Sequence, residues 1–562
     1  MIVGIDFGTS TSEIAYINEK KQLELVPNHL GDFITPSVVH ISEDGIITVG
    51  KEAKERALLQ PDCTFLEVKR LFGKQVSLNA WGKPYTQIEI ASMIIKYLVD
   101  CAKEHAKQEI DKAVITVPAY FTDGQRKDIM AAGSLAGLTV ERIINEPTAA
   151  SLDYGVNHME ECKNILVYDL GGGTLDVTVL ELFEGVVDVK SSCGNSELGG
   201  KDFDQALIDY ICSRIKKKNN VDVTSDVRAM MRIKLAAEEC KIVLSEQTKH
   251  EITLPFLCES GGSPVGFMQA FTRGDFEGMI REKVLSTKEQ INTALDDAGI
   301  DKTDVDLVLL VGGSTRIPFI TNFLKNEYGF APNSSVDADL AVVRGAAIQG
   351  GVIGGTLDED AIVLTDICPH SLSTSAITGD SEFFTDVRCS VIIPRNTVLP
   401  AEKSRLYYTV ADDQTAVKVD AYQGESNFPE ENTLLGSFYL TGIPKARAQK
   451  ESINIKFSYD LNGILGISAD IVSTGKTAGI TVNTTEVGEN MDLSTWKQSR
   501  LANKFRKIIN KADRLIKVHP DDSDDVRRAA DDLKKGLILN WDEQVLDLYS
   551  KDLDIEIDEL EG

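Results

Sequence analysis

Ile165-Leu166-Val167-Tyr168-Asp169-Leu170-Gly171-Gly172-Gly173-Thr174 is an apolar strand that ends in an aspartate and runs into glycines and a hydroxyl residue. The chain has a second copy of this arrangement at Ile2-Val3-Gly4-Ile5-Asp6-Phe7-Gly8-Thr9-Ser10-Thr11. Each continues into another apolar run, Ile14 to Ile17 or Val177 to Leu180, so each loop reads as a hairpin turn. Glycines let backbone N–H groups come close to an anion, hydroxyls add donors, and an aspartate at a strand end can face a hydrated Mg²⁺. The two aspartates lie 163 residues apart, which points to a duplicated half-domain. A third apolar strand, Val308-Leu309-Leu310-Val311, enters Gly312-Gly313-Ser314-Thr315-Arg316, a strand-to-helix turn able to approach nucleotide. One glycine-rich turn usually only reverses the chain, whereas two matched turns and a third predict a nucleotide gripped between two halves. The chain has no G-x-x-x-x-G-K-[ST] loop, G-x-G-x-x-G fingerprint, G-x-S-x-G elbow or H-E-x-x-H helix.

Outward from these loops, the texture to about Gly355 alternates Val/Ile/Leu-rich runs with amphipathic stretches such as Ile90 to Lys107 and Val227 to Ser245, a mixed α/β pattern. From about Leu372 to Thr485 the period becomes two. Ile453, Ile455, Phe457 and Tyr459 share a face, and Asn462-Gly463, read as a type I′ turn, leads to Leu465, Ile467, Ala469 and Ile471. Val417, Val419 and Ala421 alternate with Lys418, Asp420 and Tyr422, so an antiparallel β-sandwich is expected. After Met491 a helical period returns through Trp496, Leu501, Phe505, Ile508 and Ile509, and Pro520 separates this segment from two more. The acidic end, Asp552 to Glu561, reads as a solvated tail. Gly354 to Asp360 reads as a flexible acidic linker. Ala361-Ile362-Val363-Leu364-Thr365-Asp366 is either the first strand of the sandwich or a strand that docks reversibly elsewhere.

The 562 residues are 42% hydrophobic and 26% charged, enough for two to four domains. Asp and Glu outnumber Lys and Arg by 87 to 59, a net charge of -28 that argues against nucleic acid or anionic membranes as partners. No apolar run is long enough to span a membrane, and the first residues read as a strand rather than an export signal. Nine scattered cysteines without a C-x-x-C pair read as reduced thiols, and a cytoplasmic location is expected.

At the paired loops the sequence resembles the ATPase domains shared by actin, sugar kinases and the seventy-kilodalton heat-shock (DnaK-like) chaperones. Ile115 to Phe121 with Gln125-Arg126, Arg142 to Ala150, Asp169 to Asp176, Leu198-Gly199-Gly200, Leu310 to Pro318 and Gly345 to Gln349 narrow the likeness to the heat-shock chaperones. It runs from Met1 to about Thr485, with a weaker remainder. The short segment between Phe72 and Ile90 and Leu364 to Pro369 are similar to the HscC branch.

The resemblance implies an actin-like duplicated ATPase domain (residues 1–355), a linker (356–366), an antiparallel β-sandwich that binds peptide (367–485), and a shortened α-helical lid with an acidic tail (486–562). It implies that Asp6 and Asp169 hold hydrated Mg²⁺, while Gly8, Thr9, Ser10, Thr11, Gly171, Gly172, Gly173 and Thr174 surround the β- and γ-phosphates of ATP or ADP. Lys69, an ordinary surface lysine if read alone, matches the lysine that reaches the γ-phosphate, and Glu146 the residue that orients or deprotonates the attacking water. Gly199 and Gly200 flank the site. Glu238, Lys241 and Ser245 share one helix face, a surface ion pair with a bystander serine if read alone. In the family pattern they hold adenosine, opposite Gly312, Gly313, Ser314, Arg316 and Asp339.

Two departures stand out. Ile242 stands where many eukaryotic members of that family have an arginine that stacks on adenine, leaving Arg316 as the stacking cation, and Lys201 replaces the acidic residue that usually follows the Gly-Gly pair. Pro118, Arg126, Arg142, Ile362, Val363, Leu364 and Asp366 match positions that couple nucleotide state to the linker, whereas Met130 stands where a lysine of that network is expected. Ile377, Tyr407, Val410, Val417 and Val419 match the groove for an extended apolar peptide, though each is equally an ordinary sandwich core residue.

The implied activity is an ATP-dependent chaperone assisted by a J-domain co-chaperone and a nucleotide exchange factor. A non-hydrolysing regulator or exchange factor of the same fold is the alternative. A filament protein or sugar kinase leaves the sandwich and helices without a role.

Overall fold

The structure, a computed structural model, describes residues 1–561 apart from 75, 261–262, 334–336, 359–362, 379–385, 482–492, 520–522 and 539–542. Ile362 and Pro520 therefore lie outside the described residues. Internal contacts divide the chain into two units, the first being Met1–His370 with Pro394–Pro400 and Asp460–Gly463, the second the remainder from Ser371.

The first unit is built on two six-stranded sheets of matching topology. In one, Ile2–Phe7 pairs antiparallel with Thr11–Ile17 and parallel with Lys112–Val117, which pairs parallel with Thr139–Asn145. In the other, Lys163–Leu170 pairs antiparallel with Leu175–Phe183 and parallel with Leu307–Val311, which pairs parallel with Pro332–Asn333. Thus each of the two matched loops joins the antiparallel pair of its own sheet. The central strands are buried on both faces, which explains their unbroken apolar text. The helix Ala341–Ile353 packs so closely on the first sheet that a Cβ on Gly4 would lie 2.2 Å from the Ala347 nitrogen. A Cβ on Gly345 would lie 1.7 Å from the Ala149 carbonyl oxygen, so that helix crossing requires glycine.

The linker segment resolves one of the two readings left open. Val363–Thr365 adds in parallel to the edge strand Val186–Asn195 of the second sheet, Leu364 opposite Val187, so it is not a sandwich strand. Gly354 to Asp358 departs from the expected flexible linker. The N–H groups of Thr356 and Leu357 donate to the Gly351 carbonyl, Leu357 packs on the core beneath, and Asp358 pairs with Lys21 at 3.0 Å. One aliphatic anchor and one ion pair thus tether a stretch whose composition is that of a free chain.

The second unit contains two four-stranded antiparallel sheets. In one the order is Asp386–Ile393, Leu372–Thr378, Ala416–Gln423, Thr433–Thr441; in the other it is Ala401–Tyr408, Ser452–Tyr459, Leu465–Ile471, Thr477–Thr481. Burial alternates residue by residue along Ser452–Tyr459 and Leu465–Ile471, as a half-buried strand requires. Asn462-Gly463 does not form a type I′ turn. Of the two, only Gly463 has positive φ (74°), and five residues separate the strands. The Asp460 carboxylate instead accepts the Asn462 N–H at 2.9 Å, a side-chain-to-backbone bond that selects a different loop.

Three helices follow, Ala502–Val518, Asp524–Ile538 and Glu543–Glu561. The last overturns the expectation of a solvated tail at Asp552 to Glu561. Leu546, Tyr549, Leu553 and Ile557 recur at helical spacing and are buried with Phe505, Ile509, Leu533 and Leu537, while Asp554, Asp558, Glu559 and Glu561 are exposed. Asp552 itself accepts from Tyr439 at 2.7 Å and pairs with Lys418 at 3.2 Å. Among the described residues no helix is long and apolar enough to cross a membrane, and all nine cysteines are free thiols. Leu553→Ala is expected to destabilise this helical core by about 2–5 kcal/mol, whereas Asp554→Ala at the same end should change it by less than about 0.5 kcal/mol. Chemical denaturation followed at Trp496 distinguishes the two.

Candidate functional site

The two matched hairpins and the Gly312 turn open onto one cavity of about 620 Å³ in the first unit. Its wall includes Asp6, Gly8, Thr9, Ser10, Thr11, Lys69, Glu146, Asp169, Gly171, Gly172 and Thr174, and next to these Gly312, Gly313, Ser314, Arg316 and Asp339. Glu238, Lys241 and Ser245, from the helix Val227–Glu246, line it as well. Gly173, Gly199 and Gly200 stand just behind. The Gly200 N–H donates to the Gly171 carbonyl at 2.9 Å, so the helix beginning at Gly200 is fastened to the second hairpin. The hairpins nearly touch. A Cβ on Gly172 would lie 2.3 Å from Ser10 Oγ, so the absence of a side chain there keeps backbone donors open to the cavity.

Lys69 is 3% exposed, on the short helical turn Val68–Leu71. Its ammonium donates to Glu146 Oε1 at 2.7 Å and to the Phe7 carbonyl at 2.5 Å, and stands 5.9 Å and 5.5 Å from the Phe7 and Phe121 ring centres. The surface-lysine reading is therefore overturned; an ammonium in this position is retained only with such partners. Burial, then the nearby Glu146 charge, pushes the Asp6 carboxyl up to about 7, although Lys69 and the Thr116 hydroxyl favour its charged form. Asp176 is likewise pushed up to about 7, by burial and then Glu146, and Asp169 rises for the same reasons.

Glu13, directly opposite Asp6 on the paired strand, is 2% exposed, lines the cavity and is also shifted upward by burial and then by Asp6. It escaped the sequence reading, and the only signal for it was a carboxylate beginning the apolar run of its strand. Five carboxyls thus stand against the Lys69 ammonium, with Arg126 acting on Asp176 alone of the five, and Asp169 Oδ2 and Glu13 Oε1 are buried with no hydrogen-bond partner. This surplus of negative charge and open acceptor capacity fits a hydrated dication carrying phosphate. Among the described residues no three His, Cys, Asp or Glu side chains converge as direct metal ligands.

The far wall differs from expectation in its pairing. Glu238 Oε2 meets Lys54 at 2.5 Å and its Oε1 meets Lys201 at 2.8 Å; burial opposes ionisation, yet the Lys201 and Lys54 charges hold this carboxyl down at about 2. Lys241 is held by Asp204 at 2.8 Å, and the Ser245 hydroxyl donates to the Lys241 carbonyl at 2.9 Å. The Arg316 guanidinium donates twice to Asp339 Oδ2, at 2.6 and 3.0 Å, and once to Asp337, which fixes its plane at the cavity rim. Ile242 lies exposed on the same rim.

From Glu146 a bonded path leads to the linker. Asn145 immediately precedes Glu146; it accepts from Arg126 at 2.7 Å and donates to both oxygens of Asp366, at 2.9 and 3.0 Å. Arg126 also donates to the Ala119 carbonyl, one residue beyond Pro118. Arg142 lies close enough to feel the Asp366 charge. Asn145 was visible only as part of a motif; its bridging position needed the fold. Met130 packs on the core of the first sheet. Of the proposed groove residues in the second unit, Ile377 and Val410 are exposed, Tyr407 and Val417 half-buried, while Val419 is 1% exposed and so belongs to the core.

With this geometry in place, comparison with known proteins decides the family. The family model described as "Hsp70 protein" matches residues 2–80 and 74–560. The chain belongs to the Hsp70 family. A protein named Chaperone protein DnaK from Thermotoga petrophila is 42% identical to this Hsp70-family chain over 484 residues, 86% of the chain and 80% of the relative. The protein of that name from Thermosipho africanus is 38% identical over 563 residues, 96% and 92% of the two chains.

A carboxyl whose folded value is raised weakens folding once the unfolded form would ionise, so Asp6 is neutral in sign at low pH and costs stability increasingly from about pH 4 to about 7. Asp6→Asn is therefore expected to raise the thermal midpoint of the nucleotide-free protein at pH 8 and to flatten its decline between pH 5 and 8. Identical pH profiles for both proteins would contradict this.

Proposed function

We propose that this Hsp70-family chain is an ATP-dependent molecular chaperone whose ATPase, residues 1–355, drives a peptide-binding sandwich, residues 367–485, through the linker 356–366. The observation that carries the reading is the buried Lys69–Glu146 pair at the floor of a nucleotide-sized cavity, one residue from the Asn145–Asp366 bond to the linker.

In this reading the γ-phosphoryl group of ATP sits between the hairpins, where the backbone donors of Gly8 to Thr11 and Gly171 to Thr174 surround it. Asp6 and Asp169 would hold Mg²⁺ through its water shell, and the ion when bound neutralises phosphate charge. Lys69 positions the attacking water, and the Glu146 carboxylate takes its proton as the new phosphorus–oxygen bond forms and the bond to the ADP oxygen breaks. No covalent nucleophile is required, because positioning and charge neutralisation supply most of the barrier reduction. A non-hydrolysing regulator would have no use for an ammonium and carboxylate buried together at that point. Glu238, Lys241 and Ser245 face the adenosine from one wall, and Gly312, Gly313, Ser314, Arg316 and Asp339 from the other.

The clients are extended apolar polypeptide segments, with Ile377, Tyr407, Val410 and Val417 offering the accessible groove surface. Val419 supports it from beneath. The helices of 486–562 act as a short lid, and a J-domain co-chaperone and a nucleotide exchange factor are the expected partners. The free thiols suit a reducing cytoplasm.

Single-turnover ATP hydrolysis, with and without an apolar peptide and a J-domain, tests this reading. Lys69→Ala is expected to slow hydrolysis by about 10²-fold or more, the scale for losing one positioned charge in a closed site, while ATP still binds; preserved turnover would remove Lys69 from its role. Asn145→Ala should lower the ratio of peptide-stimulated to basal turnover, and an unchanged ratio would disconnect Asn145 from the linker.

A further inference from the structure

Lys201 is the second residue of the helix Gly200–Asn219, and its own N–H donates to the Gly172 carbonyl of the second hairpin at 2.8 Å. Its side chain is 11% exposed and lies among three carboxylates: Glu238 Oε1 at 2.8 Å, Glu67 Oε1 at 3.5 Å and Asp204 Oδ2 at 3.6 Å. These carboxylates come from opposite sides of the nucleotide cavity. Glu67 precedes the turn Val68–Leu71 that carries Lys69, and holds a left-handed conformation (φ 60°) as its cap. Glu238 belongs to the helix Val227–Glu246 on the other side, and its second oxygen reaches back to Lys54 on Lys51–Arg56. The charges therefore alternate Lys54, Glu238, Lys201, Glu67, and twice join a segment packed on the core of the first sheet, Lys51–Arg56 or the turn after Glu67, to a helix packed on that of the second. Beside them Arg70 and Asp202 join the same two segments, the turn Val68–Leu71 and the helix Gly200–Asn219, at 3.1 Å.

We propose that Lys201 is a positioning residue that clamps the nucleotide cavity shut, tying Glu67 on the catalytic side to Glu238 on the nucleoside side and thereby slowing nucleotide release. The inference rests on the nucleotide reading above. An acidic residue at this position would place four carboxylates together with no ammonium at their centre, and like charges at these separations repel. Lys201 reverses that sign, so opening the cavity to release nucleotide must separate its ammonium from at least one carboxylate. Breaking one partner out of a largely buried charge cluster acts mainly on the dissociation rate. Because Glu67 is the most exposed member, the clamp is also the part of the cluster that salt can screen.

The test is the release of fluorescently labelled ADP from the full chain with Mg²⁺, chased by excess ATP in a stopped-flow instrument. Lys201→Glu is expected to speed release by about tenfold or more, the equivalent of at least about 1.4 kcal/mol. Lys201→Arg, which keeps the charge, should stay within about threefold. Glu67→Gln should accelerate release as well, and adding Lys201→Met to it should give much less than the product of the two single effects, because both variants break the same contact. Raising salt should speed the wild type more than Lys201→Met, a difference that a purely structural role for the side chain would not produce. If Lys201→Glu does not fold, Glu67→Gln and the salt comparison still decide. Release from Lys201→Met and Glu67→Gln within about twofold of wild type would overturn the clamp. If labelled ADP binds neither wild type nor variants, the nucleotide reading itself fails, and the clamp with it.

Discussion

A lysine ammonium taken almost completely out of water determines how the first unit is organised around its cavity. Lys69 is tolerable there only because Glu146 and the Phe7 carbonyl accept from it and two aromatic rings flank it. Those partners come from three places, the first hairpin strand, the loop at Phe121 and the start of the helix Glu146–Gly155, and the turn Val68–Leu71 that carries Lys69 makes a fourth segment. Satisfying one charge therefore fixes the relative position of four segments. Lys69 acts on Asp6, Glu13, Glu146, Asp169 and Asp176, with Arg126 adding its charge at Asp176, so negative charge is in excess at the cavity floor among the described residues.

Two further constraints turn this floor into a site. Glycines at the hairpin tips let the two sheets approach until side-chain atoms of one nearly meet the backbone of the other, which leaves the backbone at those tips able to approach the phosphates proposed to bind there. Asn145 then carries the geometry outward, since its side chain bonds the linker carboxylate while its peptide leads directly into Glu146. A shift of the linker strand is thus mechanically close to Glu146, the carboxylate proposed to take the proton of the attacking water. The charge of -28 leaves room for anion binding here, because local donors and the cationic Lys69 and Arg316 act inside the cavity at shorter range than the distributed surface charge.

Much of this site was legible in the sequence because its chemistry is local. Aspartate at a strand end followed by glycines and hydroxyls has the same consequence wherever it occurs, and the cavity gathers nearly all the residues singled out on that basis. What was not legible depended on partners distant in sequence. Val363–Thr365 reads as a strand by composition, but its neighbour Val186–Asn195 is found only when the second sheet is assembled. Glu238 and Lys241 share a helix face as expected, yet Lys54, Lys201 and Asp204 occupy them. At Asn462-Gly463 a local competitor, the Asp460 side chain, overrode the turn preference. At the C-terminal end the density of acids concealed a helical spacing of Leu546, Tyr549, Leu553 and Ile557.

In the proposed chaperone the occupant of the cavity controls the docking of the linker strand through Glu146, Asn145 and Asp366. Amide hydrogen exchange of Val363–Thr365 and of its partner Val186–Asp188, compared between ATP-bound and ADP-bound protein, measures this most directly. The account predicts that protection of these amides changes with the nucleotide and that Asp366→Ala abolishes the difference. Equal protection in both nucleotide states, with both nucleotides shown to be bound, would contradict it.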